Sequence, residues 1–205
     1  MRKYQKYFPY EYDFIPYTIV LPDEFKTFKK HMEAVPPKIM LAKPSKGKGG
    51  EGIFFVKNCK EIKKEAMRTY EYVIQEYVER PLLIEDKKFD FRMYLLVTGV
   101  DTMTAYLAFE GMVRLCTEEY TPPYSGKHPN NEREDPMAHL TNYSLNKQNH
   151  KYKINENFKE FDDGHKRLLS NVMYVLRDMG VDIEDLREEL KDMATKIVMA
   201  MQPFL

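Results

Sequence analysis

The chain has 205 residues, 43% of them hydrophobic and 13% aromatic, so it can bury a core as one domain or two tightly joined lobes and is not disordered. Its 32 basic and 32 acidic residues balance, but residues 1–60 hold 12 Lys/Arg against 6 Asp/Glu, which suits either an anionic ligand or a solvated basic surface. Two distant cysteines (Cys59 and Cys116), the lack of a secretory signal and apolar runs of only a few residues predict a soluble intracellular protein with free thiols.

Strands on both sides of a glycine-rich loop dominate the first eighty residues. The segment YFPYEYDFIPYTIVLPDEF (7–25) is rich in Tyr, Phe and Pro, lacks a helical period and predicts an extended connection that leads to a short helix at about 23–33. Strands are expected at 38–44 and 52–57, followed by a weakly helical stretch at 60–70. Apolar and polar side chains alternate over 70–78, which is typical of a half-buried strand.

The remaining residues predict antiparallel core strands, one charged loop and two closing helices. Apolar runs with charged residues at selected points indicate the strands, and Glu110–Gly111 is expected at a bend. The expected elements are strands at 88–100 and 103–120, a loop at 121–138, and helices at about 164–179 and 183–201, the last with Asp182 as its N-cap.

The glycine run KPSKGKGGEGIF (43–54) does not fit the two common phosphate-binding loops. No Gly-Lys-Ser/Thr closes it, and a strand follows where a P-loop or a dinucleotide-binding turn would begin a helix. A flexible hairpin over phosphates fits, because glycines let backbone N–H groups approach phosphate oxygens and Lys43 on the leading strand supplies a charge. An ordinary hairpin with surface lysines explains the same residues.

The segment KFDFR places three charged side chains on one strand face. Alternation puts Lys88, Asp90 and Arg92 on that face and the two phenylalanines on the other. Burying such charges is costly unless they meet a ligand or each other, so the alternatives are a binding site and a solvated strand face. Arg114, inside an apolar run of the neighbouring strand, is a second candidate cation for a carboxylate or phosphate. A structural ion pair of Arg114 with Glu118 or Glu110 is the alternative.

The segment HLTNYSLNK (139–147) concentrates side chains that can hydrogen-bond bound oxygens: Thr141, Asn142, Ser144 and Asn146. A structural cluster of N-caps or Asx-turns is the alternative. His139 has no helix-spaced His or Cys partner, so a zinc site is not expected.

Five segments, in their order and separations, resemble the tubulin tyrosine ligase-like family: KIMLAKPSKGKGGEGIFFVK, VIQEYVERPLLI, KKFDFRMYLLVTG, GMVRLCTEEY and HLTNYSLNKQN. The resemblance implies an α+β ATP-grasp fold, with two antiparallel-sheet lobes that clasp ATP and C-terminal helices. It implies an enzyme that joins an amino acid to a protein carboxylate through an acylphosphate. The form HLTNYSLNK, with VRLCTEEY before it, is most similar to the glutamate-adding branch.

The same resemblance assigns residues to ATP. Lys43 and the loop after it would contact the phosphates. A hinge strand would then lie against adenine, further residues would contact the base and the ribose, and the last residues would border the phosphates. The implied ATP-binding residues are Lys43, Gly49, Gly50, Glu51, Gly52, Gln75, Glu76, Tyr77, Val78, Lys88, Phe89, Asp90, Thr141 and Asn142.

It also assigns the amino-acid substrate and the chemistry. Arg114 would bind the carboxylate of incoming glutamate, with Tyr143, Ser144 and Lys147 as helpers. Arg92 would stabilise the acylphosphate and the tetrahedral intermediate, because both reaction steps gather negative charge that fixed cations stabilise.

The resemblance implies three segments: a connection at 1–37, a central ATP-grasp lobe at 38–80 and a partial C-terminal lobe at 81–205. Family members carry a further N-terminal lobe and, beyond helices like those at the end of this chain, an Asp and a Glu-x-Asn that bind Mg²⁺. The chain is therefore expected to be incomplete at both ends, with its Mg²⁺ ligands beyond Leu205 and no metal ligand within it.

The resulting prediction is a tubulin polyglutamylase that uses ATP, Mg²⁺ and free glutamate and acts on the acidic tails of tubulin or microtubules. Neither nucleic acid nor a membrane is an expected partner, and the expected location is the cytoplasm and cytoskeleton, with cilium and basal body as further sites. A glycine-adding ligase of the same family and an inactive nucleotide- or tubulin-binding module are the alternatives.

Overall fold

A computed structural model describes residues 1–33, 39–62, 71–99, 102–123, 135–155 and 163–204. The chain divides into two compact units, each assembled from separate stretches. The first unit comprises Met1–Ile15, Phe89–Leu115 and Tyr152–Leu205, and the second unit comprises Pro16–Lys88 and Cys116–Lys151. The three-segment division made from the sequence stays a prediction.

Helices and antiparallel strands alternate irregularly along the described residues, so the predicted α+β class is confirmed. The helices are α1 (Arg2–Tyr7), α2 (Phe25–Met32), α3 (Pro136–His139), α4 (Tyr143–Asn146), α5 (Leu169–Asp178) and α6 (Ile183–Met201), with 3-10 turns at Cys59–Glu61 and Gln202–Phe204. The strands are β1 (Thr18–Leu21), β2 (Met40–Pro44), β3 (Phe54–Val56), β4 (Tyr72–Glu76), β5 (Leu83–Ile84), β6 (Lys87–Arg92), β7 (Leu95–Thr98), β8 (Thr104–Leu107), β9 (Met112–Leu115) and β10 (Lys166–Leu168).

The second unit is built on an antiparallel sheet with the strand order β1-β4-β2-β3. Side chains alternate along each strand, so every second residue of β1, β2 and β4 reaches one buried face, which α2 covers. The core on this face consists of Ile19, Leu21, Phe28, Met32, Met40, Ala42, Val56, Ile62 and Ile74. This sheet supplies the strands that carry Lys43 and Gln75.

The first unit contains the antiparallel pairs β6–β9, β9–β10 and β7–β8. Val113 and Leu115 of β9 are buried. The helix α5 packs against β9 and β10, and its residues Leu169, Val172 and Leu176 are buried as well. The N-terminal segment is held to α6, because the Tyr12 hydroxyl donates to the Lys196 carbonyl at 3.1 Å. Among the described residues of the whole chain, no helix is both long enough and apolar enough to cross a membrane.

Two secondary-structure predictions need correction, and one helix was not predicted. That helix is Arg2–Tyr7, which ends where the segment expected to be extended begins, and the rings of Tyr4 and Phe8 stack one turn apart. The helix expected from residue 164 begins at Leu169, because Lys166–Leu168 pair with β9 instead. The two long strands expected at 88–100 and 103–120 are each interrupted, giving β6 and β7, then β8 and β9.

Other predictions are confirmed or lie outside the described residues. The last helix spans Ile183–Met201, and the Asp182 carboxylate accepts from the backbone N–H groups of Glu184 and Asp185, as an N-cap does. The end of the predicted loop at 121–138 forms α3, while residues 124–134 lie outside the description, as do 63–70 of the predicted weak helix.

Candidate functional site

A row of hydrogen bonds across three strands of the second unit holds Lys43. Its ammonium donates to Gln75 Oε1 at 2.6 Å, and Gln75 Nε2 donates to Thr18 Oγ1 at 3.0 Å. Thr18 in turn donates to the Pro16 carbonyl at 2.7 Å. Burial lowers the pKa of Lys43, which shows that the amine is partly withdrawn from water. The sheet therefore fixes this cation at the point where the chain enters the glycine-rich loop.

The glycine-rich loop packs on the turn that begins α4. Ser144 Oγ donates to the Gly49 carbonyl at 2.6 Å. A Cβ on Gly49 would lie 2.2 Å from Ser144 Oγ, and one on Gly50 would lie 3.0 Å from Asn142 Oδ1. Both glycines also have positive φ, of 60° and 93°, which favours glycine. Two motifs that are about ninety residues apart in the sequence thus form one surface.

The buried side chain of Asn146 stabilises the turn that begins α4. Its side chain is 1% exposed and uses both ends: Oδ1 accepts from the N–H and hydroxyl of Thr117, and Nδ2 donates to the Leu140 and Asn142 carbonyls. Such a buried amide cannot also bind bound oxygens. For Asn146 the structural alternative is therefore the correct interpretation, and its amide orders the backbone around Thr141 and Asn142.

Lys88, also in the second unit, contacts Tyr77. Its ammonium lies 3.2 Å from the Tyr77 hydroxyl and 4.3 Å from the centroid of the Tyr77 ring, where it makes a cation–π contact. Tyr77 follows β4 directly and is 7% exposed, while the next residue, Val78, is 54% exposed. The cation and the hinge segment that the resemblance assigns to adenine are thus in contact.

Asp90 and Arg114 form a two-pronged ion pair in the first unit. They face each other across β6 and β9, and the hydrogen bonds that Arg114 donates to the Asp90 carboxylate raise the pKa of Arg114 against the opposing effect of burial. The alternative of a structural ion pair between Arg114 and Glu118 or Glu110 is wrong, because the acid that Arg114 binds is Asp90. Glu110 binds Ser170 and the Gly111 N–H, whereas Glu118 binds Lys151 and Asn149.

The remaining predicted residues divide between the same two units. In the second unit, Glu51 and Gly52 are exposed in the glycine-rich loop. The Glu76 carboxylate lies 3.1 Å from the His31 imidazole, and Lys147 Nζ lies 5.4 Å from the centroid of the Tyr143 ring. In the first unit, Phe89 packs on Phe91 with ring centroids 5.7 Å apart, and Arg92 is exposed at the end of β6.

Two site-supporting residues carry no local signal that would have identified them. Thr18 lies in an unremarkable strand and reaches Gln75 only because β1 pairs with β4. His139 was considered only as a metal ligand, yet it is buried beside Tyr77. Within the described residues, no group of three or more His, Cys, Asp or Glu side chains is placed to bind a metal ion.

Comparison with known proteins points to one group. A family model described as "Tubulin-tyrosine ligase family" matches residues 1–203. A probable beta-tubulin polyglutamylase of Tetrahymena thermophila is 36% identical over 208 residues, covering 100% of this chain and 17% of that protein. Tubulin polyglutamylase ttll-11 of Caenorhabditis elegans is 38% identical (97% and 28%), and human tubulin polyglutamylase TTLL11 is 35% identical (100% and 29%). The chain therefore spans less than a third of the length of these relatives.

Proposed function

The chain belongs to the tubulin-tyrosine ligase family, and on this premise we propose that it is the nucleotide-binding part of an ATP-dependent ligase that adds glutamate to glutamate side chains of tubulin tails. The relatives named above carry the name tubulin polyglutamylase, which supports glutamate as the amino acid. The single observation that carries the proposal is the packing of the glycine-rich loop on the Asn142–Ser144 turn, directly after the strand that holds Lys43.

This arrangement suits the phosphates of ATP. The backbone of a glycine-rich loop exposes N–H groups that can donate to phosphate oxygens, and Lys43 supplies a fixed cation. Because Gln75 holds the Lys43 ammonium, less side-chain entropy is lost when a phosphate binds. Lys88 and the segment Gln75–Val78 would take the base, with Thr141 and Asn142 at the phosphate border.

The described residues do not provide a metal site for Mg²⁺, since no cluster of three suitable ligands is present among them. Among the described residues, the fit to the ATP phosphates therefore rests on Lys43, the backbone N–H groups of the glycine-rich loop, Thr141 and Asn142.

Arg114 and Arg92 are proposed to serve the amino acid and the reaction. ATP activates the acceptor carboxylate by transfer of its terminal phosphoryl group, and the amine of glutamate then displaces phosphate to form an amide. Negative charge accumulates on oxygen in both steps, and a fixed guanidinium stabilises it. The ion pair with Asp90 fixes the plane of the Arg114 guanidinium, so that it can bind a second carboxylate.

The partners follow from this activity. The acceptor would be the acidic tail of tubulin, free or in microtubules, and the protein would then work on the cytoskeleton; a ciliary location is a further proposal.

The test supplies the purified protein with ATP, Mg²⁺ and tubulin and compares radiolabelled glutamate, glycine and tyrosine. Glutamate incorporation that requires ATP and is lost with tubulin lacking its acidic tails is the expected result. Incorporation of glycine instead would favour the glycine-adding alternative. ATP binding without incorporation of any of the three would favour the inactive binding module.

A further inference from the structure

In the second unit, the Tyr77 hydroxyl lies between the ammonium of Lys88 and the imidazole of the buried His139. The Tyr77 hydroxyl is 3.2 Å from Lys88 Nζ and 2.9 Å from His139 Nδ1. An ammonium can only donate, so the Tyr77 oxygen accepts from Lys88. The single hydroxyl proton of Tyr77 is then directed to His139 Nδ1, which accepts it when the neutral imidazole carries its proton on Nε2.

We propose that His139 is a positioning residue, which acts through the Tyr77 hydroxyl to fix the Lys88 ammonium for a bound nucleotide. This inference rests on the proposed function, because it takes Lys88 as a nucleotide contact. With His139 as the acceptor, the Tyr77 oxygen turns its lone pairs to Lys88. Without that acceptor, the hydroxyl can rotate its proton towards the ammonium and repel it.

Packing fixes the orientation of the His139 ring. The side chain is 1% exposed, and the rings of Phe55, Tyr77 and Tyr120 meet it nearly edge-on, with centroids 5.0, 5.6 and 5.5 Å away. His139 is the last residue of α3, a turn that Asp135 caps by accepting from the Met137 N–H at 2.8 Å. A ring enclosed in this way cannot turn Nδ1 from Tyr77 without displacing its neighbours.

A histidine that only fills the core would show the same burial, so the decisive measurement is a double-mutant cycle. ATP affinity is measured by calorimetry for the wild type, His139→Phe, Lys88→Met and the double variant. Phenylalanine keeps the ring volume and removes the acceptor. We expect His139→Phe to weaken ATP binding about fivefold or more, and less than about twofold when Lys88 is already methionine.

Two further variants keep the test decisive if His139→Phe folds poorly. Tyr77→Phe removes the relaying hydroxyl but keeps the ring, and should weaken ATP binding by a similar factor. Its matched control is Tyr120→Phe, which removes a hydroxyl from another ring on His139; that hydroxyl donates to the Glu79 carbonyl, and ATP affinity should not change. His139→Asn, whose oxygen lies as far along the side chain as Nδ1, should restore part of the affinity.

Nitrogen NMR of His139 gives a readout that needs no nucleotide. A protonated Nε2 and an unprotonated Nδ1 are expected, and a proton on Nδ1 would overturn the proposal. Equal losses of ATP affinity from His139→Phe in both backgrounds would also overturn it while leaving the proposed function intact. Failure of the wild type to bind ATP would instead reject the proposed function, and the positioning role with it.

Discussion

Arg114 donates from Nε and Nη2 to the two carboxylate oxygens of Asp90, at 2.9 and 2.5 Å, directly across the β6–β9 pair. A guanidinium has five N–H groups, so three are not used by this carboxylate. The pair therefore explains how a cation is held on a strand rich in apolar residues, and it leaves Arg114 able to bind a further anion.

Replacing Arg114 by lysine keeps the charge but removes the two-pronged geometry. If Arg114 binds the carboxylate of glutamate, Arg114→Lys should raise the KM for glutamate at least about tenfold, or about 1.4 kcal/mol, while ATP affinity changes little. Initial rates over a range of glutamate concentrations measure this. The control is Arg187→Lys on α6, where the guanidinium pairs with Glu184 at 3.5 Å.

A purely structural pair predicts a different pattern. Arg114→Lys and Asp90→Asn would then each lower the melting temperature, with the glutamate KM and the ATP affinity unaltered. Since Asp90 is also proposed to contact the ribose, Asp90→Asn should weaken ATP binding if that assignment holds; intact affinity with a lower melting temperature would show that Asp90 serves only Arg114.

Lys43→Ala should weaken ATP binding by about 1.5–3 kcal/mol, the scale of a lost charge-assisted contact. Gln75 and Thr18 hold the ammonium in place, so its contact with phosphate is preorganised. Calorimetric titration measures the change. Lys46→Ala, an exposed lysine of the same loop, is the matched control and should have a much smaller effect. Unchanged affinity in Lys43→Ala would remove this residue from the site.

Gly49→Ala tests whether the glycine-rich loop must lie against the Ser144 turn to bind ATP. The added Cβ would lie 2.2 Å from Ser144 Oγ and 3.0 Å from Ser144 Cβ, so the loop or the Ser144 side chain has to move and the hydrogen bond between them is disturbed. We therefore expect ATP affinity to fall about tenfold or more. Gly180→Ala is the control, because φ there is +88° with no atom within 4 Å of the new Cβ. It should cost about 1 kcal/mol of stability from backbone strain and leave ATP affinity unchanged.

A second substitution tests whether contact with Ser144 causes the loss of ATP affinity in Gly49→Ala. Ser144→Gly removes both atoms that the Gly49 Cβ would meet, so it should restore part of the ATP affinity lost in Gly49→Ala. No recovery would indicate that the positive φ, and not the contact with Ser144, requires glycine at this position.

Glu118 should contribute to stability at neutral pH and lose this contribution in acid. Hydrogen bonds from Lys151 and Asn149 lower the pKa of its carboxyl from the ordinary 4.5. Because the folded pKa is the lower one, the stabilisation is complete above pH 4.5 and disappears as pH falls through the folded pKa. Glu118→Gln should therefore lower the melting temperature by about 1–3 °C at pH 7.

The same difference should shrink as the pH falls below 4.5 and through the lowered pKa of Glu118. Thermal melts of the wild type and Glu118→Gln across this range measure it, with the exposed neighbour Glu119→Gln as control. A difference that persists unchanged in acid would show that the glutamine acts through packing and not through the charge of Glu118.

Elements with local signals could be predicted from the sequence alone. The Asp182 cap and the periodic apolar residues after it predicted the helix Ile183–Met201, and alternation predicted β4 within residues 70–78. The five ordered motifs identified the family, whose model matches residues 1–203.

Tertiary structure alone decided which side chains meet. Lys166–Leu168 form a strand because β9 offers them backbone partners, although the residues before the helix predicted more helix. The pairing of Asp90 with Arg114, and of Gln75 with Lys43 and Thr18, depends on strand register, which a shift of one residue would invert. Register is set by contacts between distant segments and is not encoded in the local pattern of either strand, so only the folded chain shows these partners.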